Sequence, residues 1–192
     1  MSLVVGDDGL ARCAWGAGSL DYRDYHDSEW GRPVRGDLAL FERLTLEAFQ
    51  SGLSWITILR KRENFRAAFA GFDIAAVSAF TDVDCERLMS DTGIVRNRAK
   101  ITATLANAHA LHCWRSEEGE GCLDELVWSF AEPDRVRPRE PSDIAAQSDQ
   151  SRELSRELKK HGFTFIGPVT MHAAMQAVGV IDDHLEGCWV VS

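Results

Sequence analysis

The sequence lacks any apolar run of the ~20 residues needed to span a bilayer, and its first residues lack the basic-then-apolar layout of a secretory leader. The cytosol is therefore the expected compartment, with no membrane partner. Cysteine is sparse: five in 192 residues, odd in number and scattered, which excludes a dense disulfide framework. There is no G-x-x-x-x-G-K-[ST] phosphate loop, no G-x-G-x-x-G turn and no G-x-S-x-G nucleophile elbow. His112 adjoins Cys113, but adjacent helical residues do not face each other, so they make a poor nucleophile–base pair. With no internal period, low-complexity tract or convincing strand ladder, the chain reads as nearly all-α. Basic residues are outnumbered, 21 against 30 acidic, for a net charge of −9, which argues against a general polyanion binder.

What is present is ordinary globular material, 45% hydrophobic and 27% charged, enough to bury a real core in one large domain or two small lobes. The basic residues bunch at 60–62, 96–100 and 159–161, so one face can be basic while the whole is acidic. The stretch 38–62 organises the rest. Leu40, Leu44 and Glu47 share one helical face with Phe41 and Ala48. Glu47 thus sits on an apolar stripe, where an ionised carboxylate is costly unless paired. Two readings stay open: an Arg43–Glu47 pair at i,i+4, or an acid held for a ligand. Gly52 stops the helix, and Ser54 is placed to cap a second one over 55–69. Trp55 and the basic run Arg60, Lys61 and Arg62 follow. Acid, aromatic wall and basic rim suit a flat, electron-poor ligand beside a polyanion.

Residues 1–10 are small and polar and read as a mobile arm. Tyr22, Tyr25, His26 and Trp30 then crowd together, as an aromatic cluster pinning an irregular arm or, with Trp15 and Trp55, as a stacking site. Asp37 is a plausible cap for the helix after it. Gly71 ends the second helix, and Asp73 caps a short one over 74–80. Helices follow over 82–90, from about Asn97 onward, over 123–130 and 151–161, and from Pro168 to Gly179. A proline- and charge-rich surface loop covers 133–141. Between the helices flanking Gly93, a turn and a helix N-terminus gather Arg96, Arg98 and Lys100. That arrangement is either a phosphate site or a plain helical corner with a solvated rim. His184 and Cys188, spaced H-x3-C, and Cys13 with His26 at the other end of the chain total two thiolates and two imidazoles. They would close a tetrahedral zinc site, or else are small buried cysteines and surface histidines. A closed set leaves no open position, so such a site is structural.

The strings RCAWG, YHDSEWG, LEAFQSGLSWITILRKRENFR, TGIVRNRAKI, LVWSF, LKKHGFTFIGPV and DHLEGC, in this order between about Arg12 and Trp189, resemble bacterial 3-methyladenine DNA glycosylase I, a branch of the helix–hairpin–helix glycosylase superfamily. The resemblance implies an all-α, two-lobed fold. One lobe comes from the termini (about 1–40 and 150–192), the other from the middle (about 41–149), with a helix–hairpin–helix near 85–112. It implies a bacterial, nucleoid-associated monomer that acts on alkylated double-stranded DNA. The target nucleotide is flipped into a pocket and 3-methyladenine is released. Glu47 matches the family's pocket carboxylate. Tyr25, Trp55 and Trp15 match its walls, beside Tyr22 and Trp30. Cys13, His26, His184 and Cys188 match its structural zinc ligands. Gly93, Val95, Arg96, Arg98 and Lys100 match its phosphate-gripping hairpin. No lysine stands out for a Schiff base, so strand-cleaving lyase activity is not expected. The chain departs from relatives at Ala48 and Phe49, which would alter pocket volume if they lined it, and at Trp189, which leaves a four-ligand site undisturbed. The alternative class is a zinc-stapled DNA-binding module that has lost its pocket. A zinc hydrolase would need an open metal position.

Overall fold

The computed structural model describes residues 3–132 and 135–191. The first two residues of the expected arm, and the start of the expected loop at 133–141, lie outside them. Nine α-helices carry the described chain: α1 (Leu20–Ser28), α2 (Asp37–Gln50), α3 (Trp55–Ala68), α4 (Ile74–Ser78), α5 (Asp82–Ser90), α6 (Arg98–Glu118), α7 (Cys122–Trp128), α8 (Asp149–Lys160) and α9 (Pro168–Ala177). The all-α expectation needs one correction. Strands β1 (Leu3–Val5) and β2 (Ala11–Cys13) pair antiparallel, with Leu3 opposite Cys13, where a mobile arm was expected. Three-residue strands are too short to show alternation, and the turn between them is built locally. Gly9 takes φ 77°, and Asp8 accepts the Leu10 N–H at 3.1 Å.

α2 buries the face expected of it: Leu40, Phe41, Leu44, Glu47 and Ala48 are all inside. Gly52 at φ 81° turns the chain, a conformation that is free of steric cost only for glycine. α3 then returns against α2. Between and beyond them Phe49, Phe65, Phe69 and Phe72 interlock, with Phe65–Phe69 and Phe69–Phe72 stacked at 6.2 and 5.6 Å. Each such buried ring stabilises the fold by ~1.5–3 kcal/mol. α9 packs on α2 and α8. One apolar core runs continuously from Tyr25 to Ile181. A small satellite cluster of Cys13, Leu185, Cys188 and Val190 forms where the two ends of the chain meet.

The local cap at Asp73 forms as expected, accepting the Ala76 N–H at 2.7 Å, and Asn97, where a helix was expected to begin, caps it by accepting the Lys100 N–H at 3.1 Å. Two other expected caps do not form. Asp37 is the first residue of α2 and not its cap. Its carboxylate instead accepts Gly121 N–H at 2.8 Å and Asp124 N–H at 3.1 Å, capping α7, while Asp124 accepts Gly36 N–H at 2.7 Å in return. Ser54 makes no side-chain cap on α3; the Ile56 N–H donates to the Tyr22 phenol at 3.1 Å. In both cases a residue from a distant element does the work of a local one. The stretch expected as an irregular arm is also helical, as α1. A helix aims Tyr22, Tyr25 and His26 at i, i+3 and i+4, onto one side.

Candidate active site

α1, α2, α3 and α9 enclose a cavity of about 230 Å³ lined by Trp15, Tyr22, Tyr25, Trp30, Glu47, Gln50, Trp55, Ala173 and Gln176. That is below the ~300–1,000 Å³ of pockets that hold drug-sized ligands, and suits one planar base. All six of the expected pocket residues meet here. Ala173 and Gln176 were missed because α9 reaches the pocket from over a hundred residues away along the chain and no local pattern marks it; Gln50 was missed although it follows Glu47 by three residues on α2, a spacing that shares its face. Ala48 and Phe49 do not line the cavity. Phe49 packs at 4.7 Å on Phe65 instead, so this departure from relatives leaves the pocket walls alone.

The walls are rings at steep angles. Tyr25 and Trp55 lie 5.2 Å apart at 41°. Trp15 meets Tyr22 edge-on at 5.9 Å and Trp30 at 5.0 Å. Trp15 is 38% exposed and stands at the mouth. Trp55 Nε1 is buried with no acceptor among the described residues.

Glu47 is 5% exposed and is the only acidic side chain in the lining among the described residues. Burial pushes its carboxyl up to about 8, against a smaller downward pull from the Arg43 charge. The expected Arg43–Glu47 pair does not form. Arg43 turns away to Glu29 at 2.8 Å, where Arg62 joins it. Burial raises Glu29, but hydrogen bonds from Arg62 and then Arg43 outweigh it and hold that carboxyl at about 2. The basic rim is likewise spent inside the protein. Arg60 pairs with Asp21 at 2.6 Å, and Lys61 Nζ donates to the Thr92 and Gly93 carbonyls at 3.0 and 3.1 Å.

At the turn between α5 and α6 the expected residues divide. Arg96 is exposed and unpaired among the described residues. The N–H groups of Val95 and Arg96 find no acceptor among the described residues, whereas Gly93 N–H donates to Asp91 Oδ1 at 2.7 Å. Arg98 is engaged by Glu86 at 2.8 Å. Lys100 corrects its expectation. Its side chain is not offered to a phosphate, because the residue is 6% exposed. Nζ donates to the Phe49 and Ser51 carbonyls at 2.8 and 2.6 Å. It caps the C-terminus of α2, where a cation also complements the helix dipole.

Behind the pocket lie the expected metal ligands. Donor atoms of Cys13, His26 and Cys188 lie within 4.8 Å of one another, all buried. The His184 ring centroid is 5.1 Å from that of His26, and its Nε2 is buried with no partner. Each histidine is oriented through Nδ1 by a carboxylate at 2.8 Å, Asp27 for His26 and Asp182 for His184. The Cys13 hydrogen bond and, against burial, that of His26 hold the Cys188 thiol at about 3. The pocket rests directly on this cluster: Trp30 meets His184 at 4.6 Å and Trp15 meets His26 at 5.1 Å.

An aromatic cavity with one buried acid has the shape and chemistry to take a flat, cationic ring. A family model for methyladenine glycosylase matches residues 15–191, and the chain belongs to that family. It is 43% identical over 181 residues to DNA-3-methyladenine glycosylase 1 of Escherichia coli strain K12, covering 93% of this chain and 96% of the relative. Among solved structures it is similar to 3-methyladenine DNA glycosylase I (TAG), with TM-score 0.89 and 40% identity over 94% of this chain and 100% of that one. It is also similar to a single-site variant of such an enzyme in complex with 3-methyladenine, with TM-score 0.87 and 35% identity over 93% and 96% of the two chains.

Proposed function

We propose that this chain is a monofunctional DNA-3-methyladenine glycosylase that takes the alkylated base out of duplex DNA into the aromatic cavity and releases it by hydrolysis. The observation that carries this reading is Glu47, a carboxyl alone and unpaired among rings. With its pKa near 8, Glu47 is mostly protonated at neutral pH in the free protein. N3-methylation leaves adenine formally cationic in DNA. A bound cation favours the ionised carboxyl, so Glu47 gives its proton to solvent and the charge of the lesion meets a carboxylate. Unmodified adenine brings no charge and leaves Glu47 neutral. Stacking on Tyr25, Trp55 and Trp15 adds cation–π attraction of ~1–2 kcal/mol per desolvated contact. These contacts strengthen for the lesion and not for the normal base. That is the discrimination such a reaction needs, since the alkylated base is already a good leaving group.

Water then attacks the sugar carbon as the glycosidic bond breaks. No lysine lines the cavity, and Lys61 and Lys100 are held by backbone carbonyls. Both facts support hydrolysis without a Schiff base. The exposed Arg96 and the open N–H groups of Val95 and Arg96 support a phosphate grip by a helix–hairpin–helix formed from α5, the turn and α6, with DNA lying between two lobes. The four donors Cys13, His26, His184 and Cys188 fit one structural zinc. The orphaned His184 Nε2 and the two carboxylate-oriented imidazoles are what a tetrahedral ion requires. The ion would fasten the ends of the chain and take no part in the chemistry. The protein is expected to act as a monomer.

The test is release of free base from methylated duplex DNA, with 3-methyladenine and 7-methylguanine quantified for the wild type and Glu47→Gln. Selective 3-methyladenine release that falls in the variant supports the reading. Duplex binding with no release from folded protein would favour a binding module instead, and a stoichiometric borohydride-trapped adduct would overturn the absence of lyase activity.

A further inference from the structure

Two glutamines line the cavity, and their surroundings differ. Gln50 on α2 has no protein hydrogen bond to its amide among the described residues, so its carbonyl and NH2 ends are free to exchange. Gln176 on α9 is not free. Its Nε2 donates to Asp183 Oδ2 at 2.7 Å. The Asp183 side chain is fully buried and pairs with Arg135, whose Nε and Nη2 donate to Oδ1 at 3.1 and 2.8 Å. The neighbouring His172 makes no hydrogen bond to it, its Nε2 standing 3.7 Å from Oδ2. A carboxylate committed to a guanidinium only accepts. The amide end facing it must be NH2, and a flipped Gln176 would oppose two acceptor oxygens in a dry site. The flip of Gln176 is therefore set from outside the pocket, and its Oε1 remains as an acceptor with no protein donor among the described residues.

We propose that Gln176 is a specificity-determining residue of the base pocket, presenting a fixed hydrogen-bond acceptor that selects N3-alkylated adenine over N3-alkylated guanine, with Asp183 and Arg135 as positioning residues. This rests on the glycosylase reading above. Both lesions are cationic purines of nearly one shape, so the aromatic walls reward them alike. They differ at the exocyclic group on C6, an amine donor in adenine and a carbonyl acceptor in guanine. A fixed acceptor pairs with the first and leaves the second facing an oxygen. A rotatable amide such as Gln50 would serve both. Sites built around one hydrogen bond reject the analogue that cannot make it far more strongly than apolar walls do.

The experiment is single-turnover release of 3-methyladenine and 3-methylguanine from one preparation of methylated duplex DNA, read as the ratio of the two rates. Gln176→Met keeps the length of the side chain and removes the acceptor. It is expected to slow 3-methyladenine release and to lower the adenine-to-guanine ratio about tenfold. Asp183→Asn leaves Gln176 in place but lets the amide turn, and should lower the ratio in the same direction. Loss of packing alone would slow both releases by one factor, so an unchanged ratio in Gln176→Met overturns the proposal. If Asp183→Asn fails to fold, Gln176→Met decides alone, with its circular dichroism and melting temperature compared with wild type. No release of either base by folded wild-type protein would remove the glycosylase reading itself, a different result from release at an unaltered ratio.

Discussion

Glu29 and Glu47 lie close in sequence, either side of Arg43, yet they end about six pKa units apart, at about 2 and about 8. Glu29, at the end of α1, collects Arg43 and Arg62. Glu47, in the middle of α2, gets neither. Glu47 is buried and Glu29 only half-buried, so burial lifts Glu47 the more, and the two guanidiniums at Glu29 widen the gap from the other side. Sparing Arg43 for Glu29 leaves Glu47 an acid without a partner, and a buried acid without a partner waits for a cation. The pair of arginines thus shapes the pocket without lining it.

The most damaging way to break this contrast is to remove what the wall of the Glu47 cavity leans on. Cys188→Ser, or exhaustive chelation, should release the clasp under Trp15 and Trp30. On the proposed zinc site, the expected result is a loss of several kcal/mol of unfolding free energy, the scale of structural zinc sites, together with a red shift in tryptophan emission. An unchanged urea midpoint in metal-free protein would sink this. Glu47→Gln comes next. Base release should fall by ~10²–10³, the range for losing one preorganised charge contact, with little change in duplex affinity measured by anisotropy.

The third test transfers the arginine. Glu29→Gln frees Arg43, four residues before Glu47 on α2, to approach it. The Glu47 carboxyl should then fall below 8, and the acidic limb of the pH–rate profile for release should move down by about one unit. A profile that stays put would mean that Arg43 does not move. The last test reads how Glu47 and Glu29 change stability with pH. The folded pKa of Glu47 lies above its unfolded value, so the native state holds the extra proton between about pH 4.5 and 8. Glu47 therefore costs stability increasingly as pH rises through that window, and Glu47→Gln should gain ~2–4 kcal/mol at pH 8.5 relative to pH 4. Glu29 runs the opposite way: its contribution is present above the ordinary carboxylate range and is lost as pH falls toward about 2. Urea midpoints of both variants across pH check the two signs.

Much of the fold was legible because it is local. α2 follows its apolar period, Gly52 and Gly71 follow α2 and α3, and Asp73 and Asn97 cap within their own turns. Glu47 was legible as an anomaly, a carboxylate on an apolar stripe. What stayed hidden depends on residues far apart in the chain. Asp37 caps α7, Tyr22 caps α3 and Lys100 caps α2, and each looked like something else in its own neighbourhood. Lys100 in particular read as a surface cation because two arginines flank it. Gln176 carried no sequence signal at all, since its meaning lies in Asp183 and Arg135.

The contacts of Trp30 with His184 and of Trp15 with His26 also set a schedule. The aromatic wall leans on side chains supplied by both ends of the polypeptide, and Cys188 lies almost at the last described residue. During synthesis the helices can form and condense as they emerge, but Trp30 has nothing behind it until His184 has been made. A nascent chain stopped short of that residue holds the helical body with this part of the cavity wall unsupported.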